Sequence, residues 1–400
     1  MLLAEPMDWV ESAAFTWLLP AGCGHDPADQ LGLAGFTCEM VQRGCGPWSS
    51  REFVERLDNL GIVRSAGVSL AHTRFGAAMP RARLGDALEV YSQLVLTPHL
   101  PAGQVEESRQ ACIHDIQSLQ DAPAQQLMQA LRQQHYPEPL GRSSQGTLEG
   151  IDAIGHPQLT QFHQSHYHPD GSILAVAGNI EWDELRDHVG SLLDQWQGPA
   201  DHFPSPAETA GEDLHISHPS SQTHIGIAFD AIPYSHPDYF QLRGAIGVLS
   251  DGMSSRLFTE VRENRGLCYA VQASCFSLKD RGSVMAYAGT TSERAQETLD
   301  VTLEQLTLLG KGIEPDELER VQARIKSALI MQQESSSSRS GSMTSDWYYL
   351  ERVHSLEELN KVLDDLTCES INTFLAENPP DNFRIVTLGE QPLEFSHAVS

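Results

Sequence analysis

Apolar and polar positions predict the same order of elements twice along the chain. In the first half, helical SSREFVERLDNLG precedes strand-like AGVSLAHTRFGAAM and helical LGDALEVYSQLVL. In the second half, helical SSRLFTEVRENRG precedes the strand-like stretches YAVQASCF and GSVMAYAGT and helical AQETLDVTLEQLTLL. Each half closes with a strand pattern, SILAVAGNI or NFRIVTLGE. This repeat predicts two homologous α+β domains, each a mainly antiparallel sheet with helices packed on one face.

The clearest break in the pattern is GPADHFPSPAETAGED, where glycine, proline and acidic residues replace periodic apolar ones. It predicts domains at 1–198 and 214–400, joined by a linker at 199–213. The serine run Ser335 to Ser338 is a second low-complexity stretch. A linker and a polar surface helix both fit this run, because the repeat predicts a helix here.

The net charge of the chain limits the classes of molecule that it is expected to bind. The 400 residues have ordinary globular composition, with 40% hydrophobic and 20% charged residues. The 54 acidic and 26 basic residues give a formal charge of −28, which repels phosphate backbones and anionic lipids. Nucleic acid and membrane surfaces are therefore not expected as partners. The acidity could attract basic peptides, or it could serve only to keep the surface solvated.

The cysteines and the chain's start bear on location. The seven cysteines are odd in number and form no C-x-x-C pair, so no disulfide framework is expected. MLLAEPMDWVESAAF has acidic residues where a signal peptide needs a basic flank, and no stretch reaches the ~18 apolar residues of a membrane span. We expect a soluble, cytoplasmic protein.

Several stretches resemble the pitrilysin/insulinase zinc metallopeptidases, a family that includes the mitochondrial processing peptidase subunits. They are FTWLLPAGCGHDPADQLGLAGF, PLGRSSQGTLEGIDAI, FHQSHYHPDGSILAVAGNI and GMSSRLFTEVRENRGLCYAV. The resemblance covers nearly the whole chain. It implies two peptidase-like domains, each an antiparallel sheet covered by helices, which agrees with the repeat.

The resemblance also implies that the zinc motif is degenerate. Active members carry H-x-x-E-H on the helix that here begins GLA, with a further glutamate on a second helix. The first histidine falls on Gly35, the general base on Cys38, the second histidine on Glu39, and the distant carboxylate on or next to Asp115. Glycine cannot bind zinc, and a thiol cannot replace the carboxylate that takes a proton from zinc-bound water. We expect no metal or cofactor, and no activity as a metallopeptidase for the chain alone.

Two other groups of residues have side chains that could bind a metal ion. Cys38, Glu39 and Asp115 could form a different site, but a set of mixed hardness without an imidazole is a poor one. His163, His166 and His168 have the spacing of a metal cluster. They fall at a predicted helix end leading into a strand, where a structural role is favoured.

An arginine and a tyrosine seven residues apart match a second element of the family. They are Arg262 and Tyr269 in RENRGLCY, and the resemblance gives them substrate and transition-state contacts. Both side chains can donate hydrogen bonds to a peptide carbonyl, and more strongly to an oxyanion. The alternative is that Arg262 pairs with Glu263 while Tyr269 packs in a sheet.

The stretch VRSAGVSLAH matches an edge strand that, in the family, receives extended substrate by strand addition. Ser65, Ala66 and Val68 lie on this strand. Ser65 and Val68 replace residues that are usually Asn and Thr in the family, so we expect a different peptide preference.

Together these residues predict a non-catalytic, zinc-less subunit of a heterodimeric zinc metallopeptidase. Its partner would be a zinc-bearing paralogous subunit, and its substrate a basic or unfolded peptide. It would form half of the peptide-binding chamber and supply Arg262 and Tyr269. The alternative is a structural or assembly scaffold with no peptidase role, and an independent metallopeptidase with an unorthodox site is the weakest hypothesis.

Overall fold

The computed structural model describes residues 1–199, 203–205 and 211–395. Its strands are β1 Leu2–Pro6, β2 Ser12–Leu19, β3 Gly44–Cys45, β4 Trp48–Ser49, β5 Val63–Val68, β6 Thr73–Pro80, β7 Ile173–Gly178, β8 Leu214–Ser217, β9 Gln222–Ala231, β10 Cys268–Ser277, β11 Gly282–Thr291 and β12 Arg384–Gly389. Its α-helices are α1 Leu33–Val41, α2 Ser50–Asn59, α3 Leu84–Leu96, α4 Val105–Gln120, α5 Pro123–His135, α6 Leu148–Ala153, α7 His156–His166, α8 Trp182–Leu193, α9 Tyr239–Ser250, α10 Ala295–Leu309, α11 Pro315–Gln333, α12 Ser336–Leu350, α13 Leu356–Asp365 and α14 Cys368–Glu377. A π-helical segment spans Phe258–Asn264.

The chain divides into two compact units. Unit 1 contains Met1–Ser118, the chain from Arg142 to the predicted linker, and Met331–Val353. Unit 2 contains Leu119–Gly141, the chain from the predicted linker to Ile330, and the chain from His354 onward. Each half of the chain therefore gives one helix to the unit built by the other half, α12 to unit 1 and α5 to unit 2. Of the predicted linker, 200–202 and 206–210 lie outside the described residues.

Each unit contains one five-stranded sheet. The order is β1-β7-β2-β6-β5 in unit 1 and β10-β11-β9-β12-β8 in unit 2. The β1–β7 and β12–β8 pairs are parallel, and the other neighbours are antiparallel. The predicted α+β fold with two mainly antiparallel sheets is confirmed. Parallel pairing arises where a strand near a chain end, or after the predicted linker, joins the sheet edge.

The main core of each unit lies on one face of its sheet. In unit 1, alternate residues of β2, including Phe15 and Trp17, pack with Phe36 of α1 and Leu88 of α3. In unit 2, the strands pack with α9, α10 and α14. The opposite face of each sheet also carries one helix. In unit 2 this is α5, whose Leu127 and other apolar residues pack on β9 and β12.

Helix α12 covers the opposite face of the unit 1 sheet, and the serine run forms its first turn. Ser335 caps the helix, because its side chain accepts a hydrogen bond from the Ser338 N–H. The hydroxyl groups of α12 face those of β2: the Ser336 and Ser12 oxygens are 3.2 Å apart. The helical interpretation of the serine run is thus the right one.

Small side chains suit this face because they let a helix lie close to a sheet. One long side chain on α12 is also buried there: Arg339 is 4% exposed and pairs with Glu5 of β1 at 2.6 Å. A buried guanidinium needs such a partner, since an unpaired charge would be costly to desolvate. None of the helices in the described ranges combines the length and apolar character needed to cross a lipid bilayer.

Candidate functional site

Helix α1, the helix of the degenerate zinc motif, is anchored by a buried carboxylate. Asp26 is 4% exposed, and its two oxygens accept hydrogen bonds from the N–H groups of Gly32 and Ala34, each at 2.8 Å. Burial raises the pKa of Asp26 to about 7, while these N–H groups and Arg142 oppose the rise. Since the first N–H groups of a helix have no partner within it, Asp26 satisfies two of them and fixes where α1 begins.

Main-chain atoms occupy the space beside Gly35, the position of the first family histidine. Gly35 lies in α1, and a β-carbon built on it would be 2.7 Å from the carbonyl oxygen of Ser144. The segment that contains Ser144 also packs closely on the residues just before α1, because a β-carbon on Gly146 would lie 2.1 Å from the Leu31 carbonyl oxygen. Real β-carbons do not approach backbone this closely, so no larger residue fits at position 35 without a shift of the 143–150 segment.

The position of the family's general base holds an inert thiol. Cys38 is buried, and burial raises its pKa to about 12, with Glu39 and Cys112 adding to the effect. Burial also raises the pKa of Cys112 on α4 to about 12. With this pKa Cys38 stays protonated at neutral pH, so it lacks the thiolate that nucleophilic attack needs.

The position of the second family histidine belongs to an ion-pair network. Glu39 accepts two hydrogen bonds from Arg43, the shorter at 2.6 Å, and Arg43 also reaches Glu107 of α4 at 3.2 Å. An arginine therefore links α1 to α4, the two helices that share zinc in active members. Asp115 is exposed on α4, and its main-chain oxygen accepts a long hydrogen bond from Gln145.

The residues present do not fit the zinc ion of the family. Gly35 has no ligand atom, Cys38 is a protonated thiol, and Glu39 is held by Arg43. Within the described ranges, no three His, Cys, Asp or Glu side chains are grouped so that they could share a metal ion.

Two of the three histidines near residue 165, His163 and His166, make separate structural contacts. Helix α7 ends at His166 and β7 begins at Ile173, as the sequence predicts. The ring of His163 lies 2.9 Å from the Val95 carbonyl oxygen, and His166 packs on His25 with ring centroids 4.5 Å apart. Burial lowers the pKa of His163. These contacts support a structural role for His163 and His166.

Arg262 stands exposed on the π-helical segment. Its guanidinium lies over the Phe258 ring, 4.8 Å from the centroid, and no carboxylate of the described residues lies within ion-pair distance of it. The alternative pairing with Glu263 is not formed. The guanidinium lies near Cys268, the first residue of β10. Burial raises the pKa of Cys268, and the charge of Arg262 opposes this rise. Phe258 orients the side chain while leaving its donors available.

Tyr269 is also accessible. It lies on β10, the edge strand of the unit 2 sheet, and is 47% exposed. Its hydroxyl donates to the Gln222 side-chain oxygen at 3.2 Å and lies 3.4 Å from the Tyr287 hydroxyl. Tyr287 in turn meets the ring of buried His224 at 2.8 Å. A line of polar groups thus leads from the sheet interior to the exposed phenol.

The third predicted element is the strand β5, at the other edge of the unit 1 sheet from β1. Among the described strands it pairs only with β6, and Ser65, Ala66 and Val68 lie opposite Gly76, Phe75 and Thr73. Residues 63–67 are exposed. An unpaired edge of this kind offers main-chain donors and acceptors to a further strand.

Comparison with known sequences assigns the family. Residues 9–148 match the family model described as insulinase, peptidase family M16, and residues 153–325 match the model described as peptidase M16 inactive domain. The chain belongs to peptidase family M16. Arg262 and Tyr269 lie within the stretch that matches the inactive domain. The predicted resemblance to insulinase-type peptidases is therefore confirmed.

Individual M16 relatives span almost the whole chain. An uncharacterized zinc protease of Bacillus subtilis is 26% identical over 379 residues, covering 93% of this chain and 91% of that protein. The crystal structure of a peptidase M16 inactive domain from Pseudomonas fluorescens has a TM-score of 0.90 at 21% identity, covering 99% and 97% of the two chains. A chain of Complex III2 from Candida albicans has a TM-score of 0.83 at 14% identity, covering 97% and 93%. The likenesses to solved structures show the fold.

Three features of the site were not predicted from the sequence. The first is the Ser144 carbonyl beside Gly35, because these residues are far apart along the chain. The second is the Glu39–Arg43 ion pair, although a spacing of four residues on a helix is a signal for such a pair. The polar groups behind Tyr269 come from neighbouring strands and carry no local signal.

Proposed function

We propose that this chain is the zinc-less subunit of a heterodimeric M16 peptidase and that Arg262 and Tyr269 act on the peptide substrate. The observation that carries the proposal is the accessibility of this pair. Arg262 is exposed, rests on Phe258 and has no carboxylate within ion-pair distance among the described residues. Such an arginine, seven residues before the half-exposed Tyr269, is available to a ligand, whereas the degenerate zinc-motif positions are filled by other contacts.

The chemistry of the pair suits amide hydrolysis. A guanidinium and a phenol both donate hydrogen bonds, and a peptide carbonyl oxygen gains negative charge as its carbon is attacked. Donors placed at that oxygen stabilise the transition state more than the bound peptide. In this proposal zinc and the general base belong to a paralogous partner subunit, and this chain contributes half of the peptide-binding chamber.

The proposal includes a place for the peptide and for the complex. The β5 edge would receive an extended peptide through main-chain hydrogen bonds. The charge of −28 favours basic or unfolded peptides at long range. A cytoplasmic location fits the seven free cysteines, since disulfides are rare in that compartment.

The test is co-expression with a zinc-bearing M16 paralogue, co-purification and a peptide-cleavage assay. We expect a complex whose kcat falls by about one to three orders of magnitude with Arg262→Ala or Tyr269→Phe, by analogy with the loss of an oxyanion donor. Arg265→Ala is the matched control, because Arg265 is an exposed arginine in a 3.6 Å pair with Glu304. Normal assembly with full activity in both variants would reject the proposal in favour of the scaffold alternative. A self-associating chain that ignores the paralogue would reject the heterodimer.

A further inference from the structure

One stretch of this acidic chain is entirely free of acidic residues. Between Asp58 and Asp86, residues 59–85 carry arginines at four positions and no Asp or Glu, in a chain with a formal charge of −28. This stretch forms β5 and β6, the outer two strands at one edge of the unit 1 sheet. The local charge at this edge is therefore opposite in sign to that of the whole protein.

Two of these arginines lie on the outer two strands, one on each. Arg64 is on β5 and Arg74 is on β6, both are exposed, and neither donates a side-chain hydrogen bond or forms an ion pair with any described residue. Most surface arginines of an acidic protein would find a carboxylate nearby. Two unpaired guanidinium groups at the exposed strand edge are thus available to a negatively charged ligand.

The two guanidinium groups lie on opposite faces of the sheet. Arg64 is opposite buried Ala77 in the strand register and shares the face of the main core. Arg74 is opposite Gly67 and shares the face covered by α12. A β-carbon built on Gly76 would lie 3.8 Å from Arg74 Nη2 and 2.6 Å from Ser65 Oγ, so Arg74 and Ser65 meet on that face.

We infer that the β5 edge binds an extended peptide with acidic side chains, recognised by Arg64 on one face of the sheet and Arg74 on the other. Main-chain groups of β5 supply the strand addition, and side chains of an added strand alternate between the two faces. An acidic residue on either face therefore reaches a guanidinium that has no ion-pair partner among the described residues. This inference rests on the strand addition in the proposed function, and it gives the β5 edge a local preference opposite to the long-range preference of the net charge for basic peptides.

The two arginines favour an acidic peptide, whereas the net charge of the whole chain disfavours it. Ionic strength distinguishes these two effects. The overall charge of −28 repels an acidic peptide at long range. At about 0.15 M salt the Debye length is about 8 Å, so distant charges are largely screened while a contact ion pair is screened less. Under these conditions the arginines decide the preference.

The experiment measures binding of fluorescently labelled peptides to the full chain alone at about 0.15 M salt. The peptides share one Val/Thr frame of about eight residues, the length of an ordinary strand, and carry Glu, Gln or Lys at the variable positions. We expect the Glu peptide to bind best and the Lys peptide worst. Arg64→Gln and Arg74→Gln should each weaken Glu-peptide binding by about two- to fivefold, as for an exposed ion pair. Methylation of alternate peptide nitrogens should abolish binding, since it removes strand hydrogen bonds.

Arg81→Gln is the matched control, because it removes the same charge from an exposed arginine that follows β6. Equal binding of the Glu and Lys peptides, or a Glu preference that survives the Arg64→Gln, Arg74→Gln double variant, would overturn the inference. The assay needs no partner and no cleavage. A Glu preference lost in the double variant, together with full cleavage by Arg262→Ala complexes, would keep the binding edge and reject only the proposed catalytic role.

Discussion

The carbonyl oxygen of Ser144 lies 2.7 Å from the point that a β-carbon at Gly35 would occupy. Gly35→Ala should therefore destabilise the protein by about 1–3 kcal/mol, the usual cost of overpacking a filled site. The measurement is the free energy of unfolding in denaturant. Gly190 provides the control, because it lies in α8 with nothing within 4 Å of its added β-carbon. Gly190→Ala should stabilise by about 0.5–1 kcal/mol, and equal effects at the two glycines would contradict the steric account.

Restoring the family motif in this chain should not restore zinc. In the triple variant Gly35→His, Cys38→Glu, Glu39→His, the first histidine meets the Ser144 carbonyl and Arg43 loses its partner on α1. We expect much less than one zinc per molecule in both the native chain and the triple variant, together with a lower melting temperature in the variant. Elemental analysis after dialysis measures the zinc. One tightly bound zinc in a stable triple variant would contradict this prediction. It would show that the 143–150 segment shifts at little cost in free energy.

The sequence carried enough information for the two sheets but not for all the helices that cover them. Strand alternation and helix periodicity are local, so the repeat predicted β5, β6 and α3 in one half and β10, β11 and α10 in the other. The exchange of α5 and α12 between the units is set by tertiary packing. A helix of small polar residues such as α12 has little apolar periodicity, which is why linker and helix fitted the serine run equally.

The candidate site shows the same division. Gly35, Cys38 and Glu39 could be located by resemblance, because a motif is local. What fills the space around them depends on distant segments, such as the Ser144 carbonyl. The buried Arg339–Glu5 pair joins residues 334 positions apart, and no spacing rule connects them.

The buried carboxylate that caps α1 should make stability depend on pH. The pKa of Asp26 is raised to about 7 in the folded chain from an ordinary value of 3.8, so the folded state holds this proton where the unfolded chain releases it. Between about pH 4 and pH 7, Asp26 therefore lowers the free energy of unfolding as pH rises, by up to about 1.4 kcal/mol per pH unit. The contribution is complete below about pH 4 and lost above about pH 7.

Carbon NMR titration of the Asp26 carboxyl measures this pKa directly, and Asp26→Asn isolates its linkage. The amide still accepts one hydrogen bond but turns a donor toward the second N–H, so we expect a loss of about 1–3 kcal/mol at neutral pH. The stability advantage of the native chain over the variant should shrink from about pH 4 to pH 7. A carboxyl that titrates at or below its ordinary value would mean that the hydrogen bonds from Gly32 and Ala34 outweigh burial.

The close approach of α12 to its sheet makes a last prediction about this helix. Ser340 is fully buried, and its hydroxyl oxygen lies 3.1 Å from that of Thr16 on β2. Ser340→Leu should destabilise the protein by about 1–3 kcal/mol or more, because the larger side chain must push α12 from the sheet and leaves the Thr16 hydroxyl without this partner. Ser337→Leu lies on the exposed side of the same helix and should change stability by about 0.5 kcal/mol or less. Denaturant unfolding of both variants measures the difference, and equal tolerance of the two substitutions would contradict the close packing of α12 on the sheet.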